Sequence, residues 1–264
     1  MNLLSMLQEK QLLVPCIYDC LSAQMAEKLG FAAALLSGGG LSYSLLGMPD
    51  LAMLTIDDLV EATERITAAT HIPLIIDADD GYGESPAVVY RAVRRLVRAG
   101  AQAVTIDDST GIRGFERYIY GDAHPEKGPY CHKVVEQKVW LAKIAAAAEA
   151  CRGSDCFVIA RTEAFSQYGF AEMIERCQKA RACGAQMTLI CDGMNNEDDA
   201  EVVAKLDPGL KMWPDYYSIN GKPNAAMDSL HEKDFNLVTC HIFEKAALYG
   251  MFAEHECMKK QLIE

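Results

Sequence analysis

Eight short apolar or β-branched runs, each followed by a helical pattern, predict an α/β fold: a (β/α)8 TIM barrel formed as one domain over residues 1–264. Three observations carry this prediction. The runs are almost continuously apolar, as strands buried on both faces must be, which selects a parallel sheet covered by helices. Their number favours a closed barrel over an open sheet, and such a barrel takes about 250 residues. No linker, low-complexity tract or internal repeat divides the chain.

In chain order the strands fall at 13–18, 33–37, 73–77, 103–107, 156–160, 187–191, 211–213 and 237–240. Gly30 stops the helix predicted over 22–29, and a second covers 55–70. Ser85 as N-cap and Pro86 in the first turn open a third, which ends at Gly100. Further helices are predicted over 134–150, over 169–183 with Gly184 as the stop, over 198–206, and from 243 to the end. The segment 109–133 is too long for a simple connection, and its Gly, Pro, charged and aromatic content suits a lid over an active site.

Half the residues are hydrophobic and 23% are charged, which is globular rather than disordered composition. The formal net charge is −12, and the linear sequence shows no Lys/Arg-rich stripe, which argues against nucleic acid and against anionic membrane surfaces as partners. The N-terminus has no basic region followed by a small-residue cleavage site, and no apolar run approaches the ~18 residues of a membrane span. Ten cysteines are scattered through apolar segments with no C-x-x-C pair, which suits a reduced, cytoplasmic protein with core thiols rather than a disulfide scaffold.

In such a barrel the chemistry gathers at the carboxyl ends of the strands. Strand two ends in Ser37, Gly38, Gly39 and Gly40, with Asp50 in the loop beyond; strand three ends in Asp77, Ala78, Asp79 and Asp80. Strand four ends in Asp107 and Asp108, strand five in Arg161, Thr162 and Glu163, strand six in Cys191 and strand eight in Cys240 and His241. Several carboxylates cannot share one pocket without a counter-charge, and all-oxygen donors select a hard cation, Mg2+ or Mn2+, over zinc. Arg161 is placed to clamp a substrate carboxylate. The glycine triplet reads either as a tight βα turn or as a nest of backbone N–H groups for an oxyanion. The acidic run 77–80 reads either as metal ligands or as a solvated capping turn. A dinucleotide fingerprint is rejected for Gly81 and Gly83, because Pro86 stands where the third glycine belongs.

The stretches 37–51, 77–83 and 159–164 together resemble the isocitrate lyase/phosphoenolpyruvate mutase superfamily, most closely its C–C lyase branch (2-methylisocitrate lyase-like). The likeness runs from about residue 5 to residue 250. It implies an α/β barrel that holds Mg2+ and a small anionic 2-oxo or 2-hydroxy carboxylate, and that breaks or rearranges a C–C or C–P bond beside an enolate-type intermediate. Carried over, Asp77 is the direct metal ligand, Asp50, Asp79 and Asp107 hold metal-bound waters, Arg161 binds the substrate carboxylate, and Ser37, Gly38 and Gly39 bind its oxygen.

The departures bear on the branch. The K-[KR]-C-G-H lid motif of the C–C lyases is absent, and so is the Lys-x-Asn-Ser gate of the phosphonopyruvate-acting members. Cys131 and His132 stand in the lid segment, either as replacements for the lost cysteine or as ordinary loop residues. Strand four ends in Asp107 where relatives carry Glu. Cys191 stands where they carry Glu or His, as a core thiol or a pocket residue, and His241 matches a histidine of several relatives. Cys240 lies where chemistry could reach it. Trp140 and Trp213 are expected to pack, and Tyr216 and Tyr217 to line either the pocket or the surface.

The favoured reaction is therefore Mg2+-dependent C–C cleavage or decarboxylation, with Arg161, Cys131, His132 and His241 as catalytic candidates. P–C chemistry on phosphonopyruvate or phosphoenolpyruvate, and a carboxylate-binding barrel without catalysis, are the alternatives. Relatives assemble through a swapped C-terminal helix. The chain ends soon after the eighth helix, so a homo-oligomer (dimer or tetramer) is expected and the swap is left open.

Overall fold

The strands β1 (Leu12–Ile17), β2 (Ala34–Leu36), β3 (Leu74–Asp77), β4 (Ala103–Ile106), β5 (Phe157–Thr162), β6 (Met187–Ile190), β7 (Lys211–Trp213) and β8 (Phe235–Cys240) pair in chain order, all parallel. β8 pairs back onto β1, with Leu12 opposite Leu237, and the sheet closes. The computed structural model describes residues 2–111, 133–192, 194, 196–216 and 222–263.

Among the described residues the helices are α1 (Leu3–Glu9), α2 (Cys20–Lys28), α3 (Gly38–Leu46), α4 (Ile56–Ala69), α5 (Pro86–Arg98), α6 (Gln137–Cys151), α7 (Phe165–Tyr168), α8 (Phe170–Ala182), α9 (Glu197–Leu206), α10 (Met227–His231) and α11 (Ile242–Ile263). Capping explains several starts. Thr55 accepts from Asp58 N–H while Asp58 accepts from Thr55 N–H, a reciprocal box that opens α4. Ser85 caps α5 with Pro86 in its first turn.

The sequence pattern did not mark α1, α3, α7 or α10. The start of α6 moves from 134 to Gln137 because Val134 is drawn into an antiparallel bridge with Ser109. β5 runs two residues further than expected, so Arg161 lies within the strand, and β4 stops at Ile106, so Asp107 begins the loop.

The period of two along the strands sorts their side chains into two cores. Val14, Cys16, Ile75, Ala103, Ile159 and Leu189 point into the barrel, and Leu3 and Leu7 of α1 pack with that cluster. Ile17, Leu36, Ile76, Val104 and Val158 point outward against Leu59, Val93, Trp140 and Ile144 of the helices. Each such fully buried aliphatic side chain contributes roughly 1.5–3 kcal/mol, and Trp140 Nε1–H is satisfied by Ile106 C=O at 3.2 Å. Trp213 is likewise buried, its Nε1–H donating to Asp215 C=O and Asn224 Oδ1, so both tryptophans pack as expected. One surface feature was missed in the linear reading: Arg91, Arg94, Arg95 and Arg98 fall at i, i+3, i+4 and i+7 of α5 and line one shallow concavity.

Candidate active site

Following the inward parity one step past the apolar core gives the layer at the mouth: Cys16 above Val14, Asp77 above Ile75, Thr105 above Ala103, Arg161 above Ile159, Cys191 above Leu189 and Thr239 above Leu237. All six line one cavity of about 300 Å³. Ser37, Gly39, Asp50 and His241 line it too, so most of the predicted site is brought together. Cys131 and His132 lie outside the described residues, as does Tyr217.

The glycine triplet is neither a tight turn nor an isolated nest. It is the first turn of α3, with Ser37 as N-cap accepting from Gly40 N–H at 3.1 Å. A helix start suited the local sequence only in its capping serine, because three glycines are poor helix formers. At Gly40 the absence of a side chain is needed for close approach, while Gly38 and Gly39 stand beside acids at ordinary contact distance. A Cβ on Gly38 would lie 3.8 Å from oxygens of both Asp77 and Asp79, one on Gly39 would lie 3.4 Å from Asp50, and one on Gly40 would overlap Glu244 Oε1. The positive end of α3 therefore abuts four carboxylates and presents the N–H groups of its first turn to the mouth.

Asp77 Oδ1 accepts from Thr105 Oγ1–H at 2.8 Å and lies 3.4 Å from Arg161 Nη1. Arg161 also donates from Nε to Glu163 Oε1 at 3.0 Å, so its guanidinium bridges two acids at the rim. Asp79, 7% exposed and at φ +46°, lines a smaller adjoining cavity rather than the main one. Its carbonyl takes Asp107 N–H at 2.7 Å, and Asp107, fully buried behind it, accepts from Ser109 N–H at 2.9 Å.

Two neighbours of the predicted acids are tied to buried cations, although Asp80 still lines the smaller cavity with Asp79. Lys143 Nζ donates to Asp80 Oδ2 at 3.0 Å, and Asp108 is enclosed by Arg176 at 3.0 Å, Thr162 Oγ1–H at 2.6 Å and Glu163 N–H at 2.9 Å. Burial outweighs these donors and raises the Asp108 carboxyl to about 6.

Burial also pushes the Cys191 thiol well up, against a smaller lowering by Arg161, so at neutral pH it is an S–H group. Cys240, expected within reach of the chemistry, is not: parity turns it away from the barrel, its Sγ faces Val14 C=O at 3.9 Å, and burial pushes it up to about 12. Tyr216 packs against the cluster around Trp213, away from the main cavity. Sequence reasoning missed Cys16, Thr105, Tyr43 and Glu244 on the cavity wall. Strand parity was the signal for Cys16 and Thr105, and the i+3 relation to His241 was the signal for Glu244.

Among the described residues no three His, Cys, Asp or Glu side chains stand close enough to cage a metal by themselves. The donors that do converge, Asp77, Asp79 and Asp50 around the start of α3, are all carboxylate oxygens. They fit a hard ion held by one direct carboxylate with the others acting through its waters, which is how Mg2+ is commonly bound.

A closed parallel barrel with acids, one arginine and a helix N-terminus at its mouth defines an α/β-barrel protein built to take a small anion. The chain belongs to the phosphoenolpyruvate phosphomutase family, whose model matches residues 3–254, within the isocitrate lyase/PEP mutase superfamily. It is 38% identical over 201 residues to the petal death protein of Dianthus caryophyllus, covering 76% of this chain and 59% of that protein. It is 36% identical over 174 residues to an oxaloacetate decarboxylase of Paraburkholderia xenovorans, covering 66% and 54%. The chain thus spans little more than half the length of these curated relatives. Among solved structures, 2,3-dimethylmalate lyase superposes with a TM-score of 0.82 at 27% identity, covering 98% of this chain and 86% of that one.

Proposed function

We propose that this protein is a Mg2+-dependent (or Mn2+-dependent) lyase that cleaves a C–C bond in, or decarboxylates, a small 2-oxo or 2-hydroxy carboxylate through an enolate-type intermediate. One observation carries the reading: Arg161 and the first turn of α3 line one cavity whose wall also holds Asp77 and Asp50. Relatives named for oxaloacetate decarboxylation and 2,3-dimethylmalate cleavage support it.

Asp77 would hold the metal directly, with Asp50, Asp79 and Asp107 holding its waters. Bound there, the metal supplies a Lewis acid for the negative charge that grows as the bond breaks. Arg161 fixes a substrate carboxylate with its forked donors. Ser37, Gly38 and Gly39 bring the N-terminal N–H groups of α3 to a substrate oxygen. Leu35, Leu189 and Met212 make the floor apolar, which excludes water and strengthens each of these contacts. Segment 109–133 is read as the lid of this single domain. Its two ends are pinned together at the rim, Thr110 N–H to Lys133 C=O and Val135 N–H to Asp108 C=O, each at 2.8 Å.

We further infer that the chain works in the cytoplasm as a homo-oligomer. The eight cysteines among the described residues are all free thiols, and none of the described helices is long and apolar enough to cross a membrane. Leu248, Tyr249, Met251 and Phe252 of α11 are each more than half exposed, an apolar face that a second copy would cover.

Assays with Mg2+ should show pyruvate released from oxaloacetate or 2-methylisocitrate, and none in EDTA. Phosphate released from phosphonopyruvate instead would overturn the C–C assignment. Binding of oxalate without turnover of any of these would favour a non-catalytic barrel. Light scattering tests the oligomer: a monomer at all concentrations refutes it.

A further inference from the structure

The lid cysteine motif of the C–C lyase relatives is absent, yet the cavity wall carries a different thiol with a relay behind it. Cys16 sits one residue before the end of β1, is 1% exposed, and its Sγ lies 3.6 Å from His241 Nε2. The other ring nitrogen, Nδ1, lies 3.9 Å from Glu244 Oε2. Thiol, imidazole and carboxylate thus stand in a row, drawn from β1, the β8–α11 junction and the first turn of α11, and all three line the cavity. The row is built in. Glu244 folds against α3 only because Gly40 has no side chain, and its Oε1 is buried without a hydrogen-bond partner among the described residues.

We propose that Cys16 is the proton donor of this site, passing its S–H proton to the carbanionic carbon left by C–C cleavage, with His241 and Glu244 as the positioning residues that orient and recharge it. The inference rests on the lyase reading above. Topology gives the direction of approach. In an eight-stranded barrel closed in chain order, β1 and β8 lie across the mouth from β5, so a substrate whose carboxylate is held by Arg161 presents its other end to Cys16.

The chemistry of the thiol agrees. Burial, then Cys240, Glu244, Asp215 and Asp77, push Cys16 well above the ordinary thiol range, which suits a resting acid and not a nucleophile. With S–H donating to Nε2, the ring proton is on Nδ1 and faces Glu244.

In the decarboxylation of a 2-oxo acid bearing a 3-carboxylate, the C3–C4 bond breaks, its electron pair enters the enolate and CO2 leaves. The enolate pair then forms a C3–H bond with the Cys16 proton, and the S–H pair stays on sulfur. His241 Nε2 then takes a proton from solvent at the mouth, where its side chain is 36% exposed, and passes it to the thiolate, while Nδ1 keeps its own proton and the ring ends neutral as it began.

The test uses the full chain with Mg2+, with oxaloacetate as substrate and pyruvate in D2O as probe. Methyl exchange followed by NMR reads the proton transfer without the cleavage step. Cys16→Ser keeps the volume but offers a far weaker acid; it should lower both oxaloacetate turnover and methyl exchange by roughly 100-fold or more, with KM changed by less than about threefold. Cys16→Ala should do the same, and unchanged melting temperatures show that both variants fold. Glu244→Gln and His241→Asn should lower kcat and displace its pH profile, which loss of packing alone would not do. Exchange at the wild-type rate in folded Cys16→Ser and Cys16→Ala overturns the donor assignment while the lyase reading stands. Exchange lost in those variants but a wild-type pH profile in Glu244→Gln and His241→Asn overturns the relay. A wild-type protein that neither cleaves nor exchanges overturns the lyase reading, and the proposal with it.

Discussion

Lys143 of α6 crosses to Asp80 at 3.0 Å with only 3% of its side chain exposed, and so neutralises one carboxylate of the acidic turn, which lines the smaller cavity beside Asp79. Asp77, three residues earlier, stays on the cavity wall. The two acids should therefore answer differently to the same substitution. Asp77→Ala should abolish the rise in melting temperature that Mg2+ gives the wild type, since a ligand stabilises only the state that binds it. Asp80→Ala should leave that rise intact but cost up to roughly 3 kcal/mol of stability, because a buried ammonium loses its carboxylate and keeps only the residue-80 carbonyl, also at 3.0 Å. Thermal scans with and without Mg2+ check both.

Arg176 and Asp108 meet at 3.0 Å with 1% and 0% of their side chains exposed. Arg176→Met leaves a buried carboxyl with only the Thr162 hydroxyl and the Glu163 N–H, and should cost roughly 3–5 kcal/mol in urea unfolding at pH 7. Because burial raises Asp108 to about 6, above an unfolded value of about 3.9, its contribution is fullest below that unfolded value and falls as pH rises through about 6. The variant should therefore recover part of its deficit at pH 4.5, where the carboxyl is protonated; an equal deficit at both pH values would show that charge is not the cause.

Gly40 and Gly38 separate packing from conformation. Gly40→Ala drives a methyl group into Glu244 Oε1 and to 2.9 Å from Tyr18 Cβ, and should cost about 1–3 kcal/mol as overpacking. Gly38→Ala meets nothing nearer than 3.8 Å and replaces a poor helix former, so it should be neutral or stabilising by up to about 1 kcal/mol. Equal losses in the two variants would refute the packing account.

Cys191 carries a raised thiol beside Arg161, so it should resist iodoacetamide at pH 7.5 in the native, metal-free protein and react once urea unfolds the chain. Mass spectrometry of tryptic peptides distinguishes it from the exposed-state control. Rapid native labelling at residue 191 would mean that the thiolate is populated.

The fold was legible because its signal is local. Apolar runs of strand length and their punctuating glycines marked all eight strands within two residues at every boundary, the largest shifts being the end of β5 and the start of β8. Asp77, Arg161, Ser37 and His241 were legible for the same reason, since position at a strand end predicts position at the mouth. What was not legible depends on partners distant in the chain. The pairing of Asp80 needs Lys143, and that of Asp108 needs Arg176, 68 residues on. The helical state of Gly38, Gly39 and Gly40 runs against their propensity and is held by the serine cap and tertiary packing. Cys16 is not a strand-end residue, and only the pleat, which turns the residue before the end of β1 toward the mouth, brings it to the cavity.

α11 carries Glu244 in its first turn and the exposed Leu248, Tyr249, Met251 and Phe252 farther along. Eight residues of helix put Phe252 only about 12 Å from Glu244, on one continuous rod. Any contact that shifts the outer part of that rod is transmitted to the carboxylate beside His241. Specific activity should then vary with protein concentration, making turnover a gauge of how many copies stand together.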